Sequence, residues 1–173
     1  YSRNGQLSLT PDGYLENAQG ARLLGRNGQI NVPAGGMAAS ATKKIDVGMN
    51  FEAGSPMITA PFDPKDNSTY SYANTATVYD SLGAAHDMTM YFVKKNANEW
   101  EVYTSVDGNV MDIEGSIPTA QAQVVKFTSS GALDGYAPVA FTAGLTNGAA
   151  DLTFSLNLAG STQFGNKFEA NSL

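Results

Sequence analysis

Apolar and polar residues alternate along most of the chain, and that alternation determines the elements it predicts. In LTFSLNL (152–158), Leu152, Phe154, Leu156 and Leu158 fall on one side and Thr153, Ser155 and Asn157 on the other. A period of two is what a half-buried strand requires. KIDVGMNF (44–51) repeats it, with Ile45, Val47, Met49 and Phe51 inward and Asp46, Gly48 and Asn50 outward. On a helix the same apolar residues would be scattered around the cylinder. Further strands are predicted over 6–9, 14–15, 22–24, 29–32, 75–79, 87–94, 99–104, 123–127 and 139–142. No amphipathic helix longer than two turns is expected.

Turn chemistry agrees with a strand-rich chain. In LTPDGYL (9–15), Pro11 presets its φ, Asp12 can bond the backbone ahead and Gly13 supplies a left-handed residue, so a hairpin is expected there. FTSSGAL (127–133) and KKNANEW (94–100) read as two more connections of that kind. PAGGMAASAT (33–42), poor in large side chains, reads as the link between a small N-terminal β unit and a larger β domain. SPMITAPFDPKDNSTY (55–70) carries three prolines and is expected to be a long exposed loop. The expected fold class is all-β, an antiparallel β-sandwich or barrel-like domain preceded by the smaller unit.

Composition narrows the function. A chain of 173 residues with 42% hydrophobic and 15% charged residues can bury a true core and is not held open by charge. Its net charge of −6 repels nucleic-acid phosphates and anionic membranes, so neither is an expected partner. Cysteine is absent, which excludes disulfides, thiolate nucleophiles and cysteine metal sites. No apolar run approaches the ~20 residues of a membrane-spanning helix, and the opening YSRNGQLSL has neither a signal-peptide core nor an initiator Met, so an internal fragment is expected.

The densest polar cluster lies in TVYDSLGAAHDMTMYFV (77–93), where the single histidine stands between Asp80 and Asp87, with Tyr79 and Ser81 close by. Strands on either side make 80–86 the loop of a hairpin. A catalytic triad needs nucleophile, base and acid to converge from separate elements beside an oxyanion hole, and no such signature is present. His86 is therefore expected to be a turn residue bonded to the backbone. Asp63, Asp66 and Asn67 of DPKDNS could gather oxygen ligands for a weakly held calcium ion, but a solvated loop is expected, and no EF-hand spacing occurs. The glycines of GARLLGRNG do not join a strand to a helix and are read as turn glycines, not a phosphate cradle. Trp100 shares a face with Val102, opposite Glu101 and Tyr103, and is expected in the core; the alternative is a sugar-binding platform with exposed tyrosines. Met37, Met49, Met57, Met88, Met90 and Met111 are expected to fill core gaps. No catalytic, cofactor-binding or metal-binding residue is assigned, and no cofactor is expected.

Two stretches carry a resemblance. YSRNGQLSLTPDGYLENAQGARLLG (1–25) resembles the segment shared by axial proteins of the bacterial flagellum. TATVYDSLGAAHDMTMYFVKKNANEWEVYT (75–104) resembles the central domain of the flagellar hook protein family in particular, and GMAAS, FTSSGAL and LTFSLNLAGSTQFG follow in that family's order. The resemblance implies that residues 1–36 are part of the family's inner β domain and 37–173 its outer β domain. It also implies a structural role in the extracellular hook, a flexible helical tube of one self-assembling protein that joins motor to filament as a universal joint. Other hook subunits, the hook cap, the rod and the hook–filament junction proteins would be its partners. A chain exported unfolded gains from having no cysteine, and an open helical polymer needs head-to-tail contacts that do not close into a ring. Without the family's helical termini the isolated chain is expected to be a monomer. The competing function is a β-sandwich carbohydrate-binding or adhesin module built on Trp100.

Overall fold

The structure, a computed structural model, describes residues 5–32, 39–115 and 121–172, the last three by their backbone alone. The chain divides into two compact units, Tyr1–Ala38 and Ala39–Leu173. The expected boundary at 36/37, Met37 and the first four residues of the 1–25 motif lie outside the described residues.

The first unit is built from two short ribbons. β1 (Ser8–Leu9) pairs with β2 (Leu15–Glu16), Leu9 opposite Leu15, and β3 (Leu24–Gly25) pairs with β4 (Gly28–Gln29). The LTPDGYL turn closes as its residues dictate: the Gly13 N–H donates to Thr10 O at 2.9 Å and the Thr10 N–H to Tyr14 O at 2.8 Å. Gly13 has φ +83°, and a Cβ there would lie 2.2 Å from the Val32 carbonyl oxygen, so only glycine fits. Leu7, Leu9, Leu24, Ile30 and Val32 remain exposed.

The second unit is all-β. Among its described residues are β5 (Lys44–Asp46), β6 (Gly48–Glu52), a 3₁₀ turn (Asn67–Thr69), β7 (Tyr72–Tyr79), β8 (Ala85–Asn96), β9 (Glu99–Val106), β10 (Asn109–Val110), β11 (Asp112–Ile113), β12 (Ala122–Lys126), β13 (Val139–Ala143), β14 (Leu152–Asn157), β15 (Thr162–Phe164) and β16 (Glu169–Ser172). The largest sheet is the antiparallel meander β7–β8–β9, with β12 and β10 sharing the far edge of β9. A second sheet runs β11–β13–β14–β5 and a third β15–β6–β16, and β5 and β15 join their neighbours in parallel. The single strand predicted over 44–51 is split at Val47: β5 stays with β14 while β6 leaves for β15 and β16. Alternation reports which face is inward and is blind to the partner, so Val47, Met49 and Phe51 are buried as predicted although the strand changes sheets, whereas Asn50, predicted outward, is buried too, its side chain bonded to Thr162, Phe164 and Asn166.

One core lies between the large sheet, through Met88, Met90, Phe92, Trp100 and Val102, and the smaller sheets, through Met49, Phe51, Phe141, Leu152, Phe154 and Leu156. At its centre the Phe51 ring meets Phe92 and Trp100 edge-on, each at 5.3 Å between centroids. Such edge-to-face pairs add about 0.5–1.5 kcal/mol each beyond area burial. Loop 55–70 is long, as expected, yet it is not simply solvated. Phe62 stacks on Tyr103 at 4.0 Å and packs on Tyr91, which also meets Tyr70, so the loop covers part of the outer face of β8 and β9. Met57, expected in the core, is instead 62% exposed on that loop, because the prolines around it carry the chain out of any ladder.

Candidate functional site

The polar cluster around His86 is organised differently from the expected loop. β8 starts at Ala85, so His86 stands in the ladder opposite Val78 and the loop shrinks to 80–84. Asp80 caps that loop: its Oδ1 accepts the N–H groups of Leu82 at 2.8 Å and Ala84 at 2.9 Å, and Gly83 takes φ +84°. The expected backbone bond from His86 gives way to a bridge between carboxylates. Its Nε2 lies 3.1 Å from Asp80 Oδ2 and its Nδ1 2.7 Å from Asp107 Oδ2. Asp107 occupies the β9–β10 hairpin with φ +49° and Gly108 at +81°, as a type I′ turn requires. Its other oxygen accepts the Asp87 N–H at 3.0 Å. A third segment closes the cluster: the Asn147 side-chain amide donates to Asp80 Oδ2, and the Ala150 N–H donates to Ser81 Oγ at 3.0 Å. The ring edges a cleft of about 170 Å³ that Val106, Asn109, Leu145, Thr146 and Asn147 also line.

Burial and charge define what this cluster can do. Asp80 has no exposed side-chain surface and His86 only 10%, whereas Asp107 is half exposed. Each ring nitrogen faces a carboxylate oxygen, and both can donate only as the imidazolium. The bonds to Asp107 and then Asp80 hold the His86 pKa above its ordinary value, against desolvation. The imidazolium in turn holds Asp80 far below the usual carboxylate range, helped by Asn147 and the Ala84 and Leu82 amides. Asp107 is lowered chiefly by the same ring. A histidine with both nitrogens donating has no lone pair for general-base work, and Ser81 is engaged by Ala150 rather than by the ring. The arrangement is an ion-pair clamp.

The other candidates resolve into structure. Asp66 caps the 3₁₀ turn, accepting the Ser68 N–H at 2.9 Å and its hydroxyl at 2.7 Å, and Asp63 Oδ1 accepts the Lys65 N–H at 2.9 Å. Among the described residues no three His, Asp or Glu side chains gather as a cation site. In GARLLGRNG, Gly25 and Gly28 close the β3–β4 hairpin. Trp100 is fully buried, its Nε1–H donating to Gln163 Oε1 at 2.7 Å, so it offers no platform. Reading the sequence missed Asp107, although V-D-G-N is itself a hairpin signal. It also missed Asn147, which nothing local distinguishes.

Comparison with known proteins gives a consistent result. Residues 49–173 match the family model of the flagellar basal body protein FlaE D2 domain. The flagellar hook protein FlgE of Salmonella typhimurium is 36% identical over 178 residues, covering 94% of this chain and 43% of the relative. That of Escherichia coli K12 is 34% identical over 179 residues with the same coverage. A solved 32 kDa fragment of the hook protein FlgE from Caulobacter crescentus is similar at a TM-score of 0.47 and 18% identity, over 63% of this chain and 48% of that one. The chain thus spans less than half the length of the curated relatives it matches.

Proposed function

Since the chain belongs to the flagellar hook protein family through its FlaE D2 domain, we propose that it serves as a structural segment of a hook subunit. In this role it is part of the extracellular helical tube that self-assembles from one protein and transmits motor torque to the filament. The match of the family model over 49–173 carries this reading. In it, residues 1–36 belong to the inner β domain and 37–173 to the outer one. Other hook subunits are the principal partners, with the cap, rod and junction proteins at the ends of the tube.

The cluster chemistry supports a mechanical role over a catalytic one, because both ring nitrogens of His86 are taken up by Asp80 and Asp107, and Asp80 is further bonded by Asn147 of the same domain. The binding-module alternative needs Trp100 on a solvent-facing row, and its burial removes that support. The test is an exchange: residues 49–173 replace the matched segment of the Salmonella typhimurium hook protein, and hooks are viewed by electron microscopy. Curved tubes and motile cells are expected. Straight tubes, or none from an exported chimera that folds, would overturn the proposal.

A further inference from the structure

We propose that His86 is the pin of a pH-sensitive latch, closed as the imidazolium, that ties the β7–β8 turn to the β9–β10 turn and releases Asp107 on deprotonation. The two turns are joined across the sheet by the ring, His86 to Asp107 being 21 residues apart in sequence, while the 144–150 loop is held to the β7–β8 turn separately, by Asn147 on Asp80 and the Ala150 N–H on Ser81. Ionisable groups face the ring from two sides, Asp80 on its own turn and Asp107 on the β9–β10 turn. The 144–150 loop contributes no ionisable residue, the remaining cleft lining is uncharged, and the Asp87 side chain is exposed, its main chain alone bonding Asp107.

A neutral imidazole carries one N–H, so it satisfies one carboxylate and turns a lone pair on the other. Asp80 is buried and cannot be rehydrated in place, whereas Asp107 is half exposed and can take water. The remaining proton therefore stays on Nε2, and Asp107 lets go. With it go the Asp87 N–H bond to Asp107 Oδ1 and the Asp107 N–H bond to Asp87 O, at 3.0 and 2.9 Å. The shift directions set the window. The His86 pKa is raised above 6.5, so the latch's contribution is complete below about that pH and disappears as pH climbs through the higher folded value. Asp80 and Asp107 are lowered from 3.8, so their contribution is present above that pH and fades only as acid reaches their lower folded values. Opening is therefore alkaline.

The inference is independent of the hook assignment, since it concerns this chain alone. His86 is the single histidine, so a ¹⁵N imidazole titration of the full chain reads it without ambiguity. The expected midpoint lies above 6.5, with both nitrogens protonated below it and the Nε2–H tautomer above. Through that midpoint the Asp87 and Asp107 amides lose hydrogen-exchange protection, while Leu82 and Ala84, bonded to Asp80, keep theirs. Asp107→Asn, at a half-exposed position that threatens folding little, is expected to lower the midpoint towards 6.5 and to abolish the pH dependence of the Asp87 amide. A wild-type midpoint at or below 6.5, or Asp87 and Asp107 amides that ignore the titration, would overturn the latch.

Discussion

Trp100 and Gln163 allow the strongest test of the core, because one hydrogen bond there links two sheets. The Trp100 Nε1–H donates to Gln163 Oε1 at 2.7 Å inside the protein, and the Gln163 amide turns outward to Asn98 Oδ1 at 2.9 Å and Ala97 O at 3.2 Å in the β8–β9 turn. Trp100→Phe removes the donor and part of the indole. Leaving a buried acceptor without a partner costs about 1–3 kcal/mol. A residual void of some 40 Å³ adds about 1 kcal/mol at the usual cavity slope. The single variant is therefore expected to lose about 2–4 kcal/mol, a fall in Tm of roughly 7–14 °C for a domain of this size. In a Gln163→Met background no acceptor is left to orphan, and the partners Gln163 gives up, Ala97 and Asn98, are exposed and can bond water. There Trp100→Phe still opens the void, about 1 kcal/mol, but it also removes an indole N–H that Gln163→Met had already left buried without its partner, so its cost falls to about zero or below and the double-mutant cycle should yield a coupling of at least about 2 kcal/mol. Urea unfolding followed by far-UV circular dichroism measures all four proteins. A coupling near zero with unchanged m-values would refute the argument that this bond, rather than ring volume alone, fixes β15 against the large sheet.

Three further outcomes follow from individual residues. Gly13→Ala forces a Cβ to within 2.2 Å of Val32 O at φ +83°, and should disrupt the first unit while sparing the second, seen as loss of amide dispersion confined to residues 5–32. Lys94 buries its ammonium with the Ala53 carbonyl as partner and Trp100's ring at 5.7 Å, and among the described residues no carboxylate pairs with it; Lys94→Met should leave thermal stability within about 1 kcal/mol of the wild type or raise it. Phe62→Ala removes the ring stacked on Tyr103, so loop 55–70 should become the first site of limited proteolysis while the core Tm falls by only a few degrees.

Facing was legible in the sequence, and pairing was not. Period-two alternation identified the buried sides of β6, β9 and β14 from local information, because side chains alternate whatever strand lies alongside. The same information could not reveal that β5 and β6 belong to different sheets, since that choice is made by β14, β15 and β16 more than a hundred residues away. Short strands such as β15, three residues long, carry too few periods to register. The site divides the same way. Asp80 and its loop could be read from the hairpin, but His86 acquires its character from Asp107 across the sheet and from Asn147 beyond it. A local reading therefore assigned it backbone partners and missed the charge.

The surface left over after the core is built bears on the hook role proposed above. Residues 39–173 contain no arginine, the side chain whose planar fork makes the most register-specific contacts. Apart from the His86 clamp, the ion pairs among the described residues are Lys44–Asp46, Lys95–Glu101 and Lys126–Glu99, all between neighbours on one sheet or strand and partly solvated. Solvated pairs of that kind contribute about 1 kcal/mol or less. Hydroxyls meet across strands instead, Thr75 with Thr89 at 3.0 Å and Thr142 with Thr153 at 2.9 Å. Contacts made by short neutral groups exchange readily with water and hold no single register strongly. Many such weak, replaceable contacts over a domain that does not itself deform are what the hook role proposed above calls for. The cross-sheet packing around Phe51 and Trp100 supplies a rigid interior of that kind.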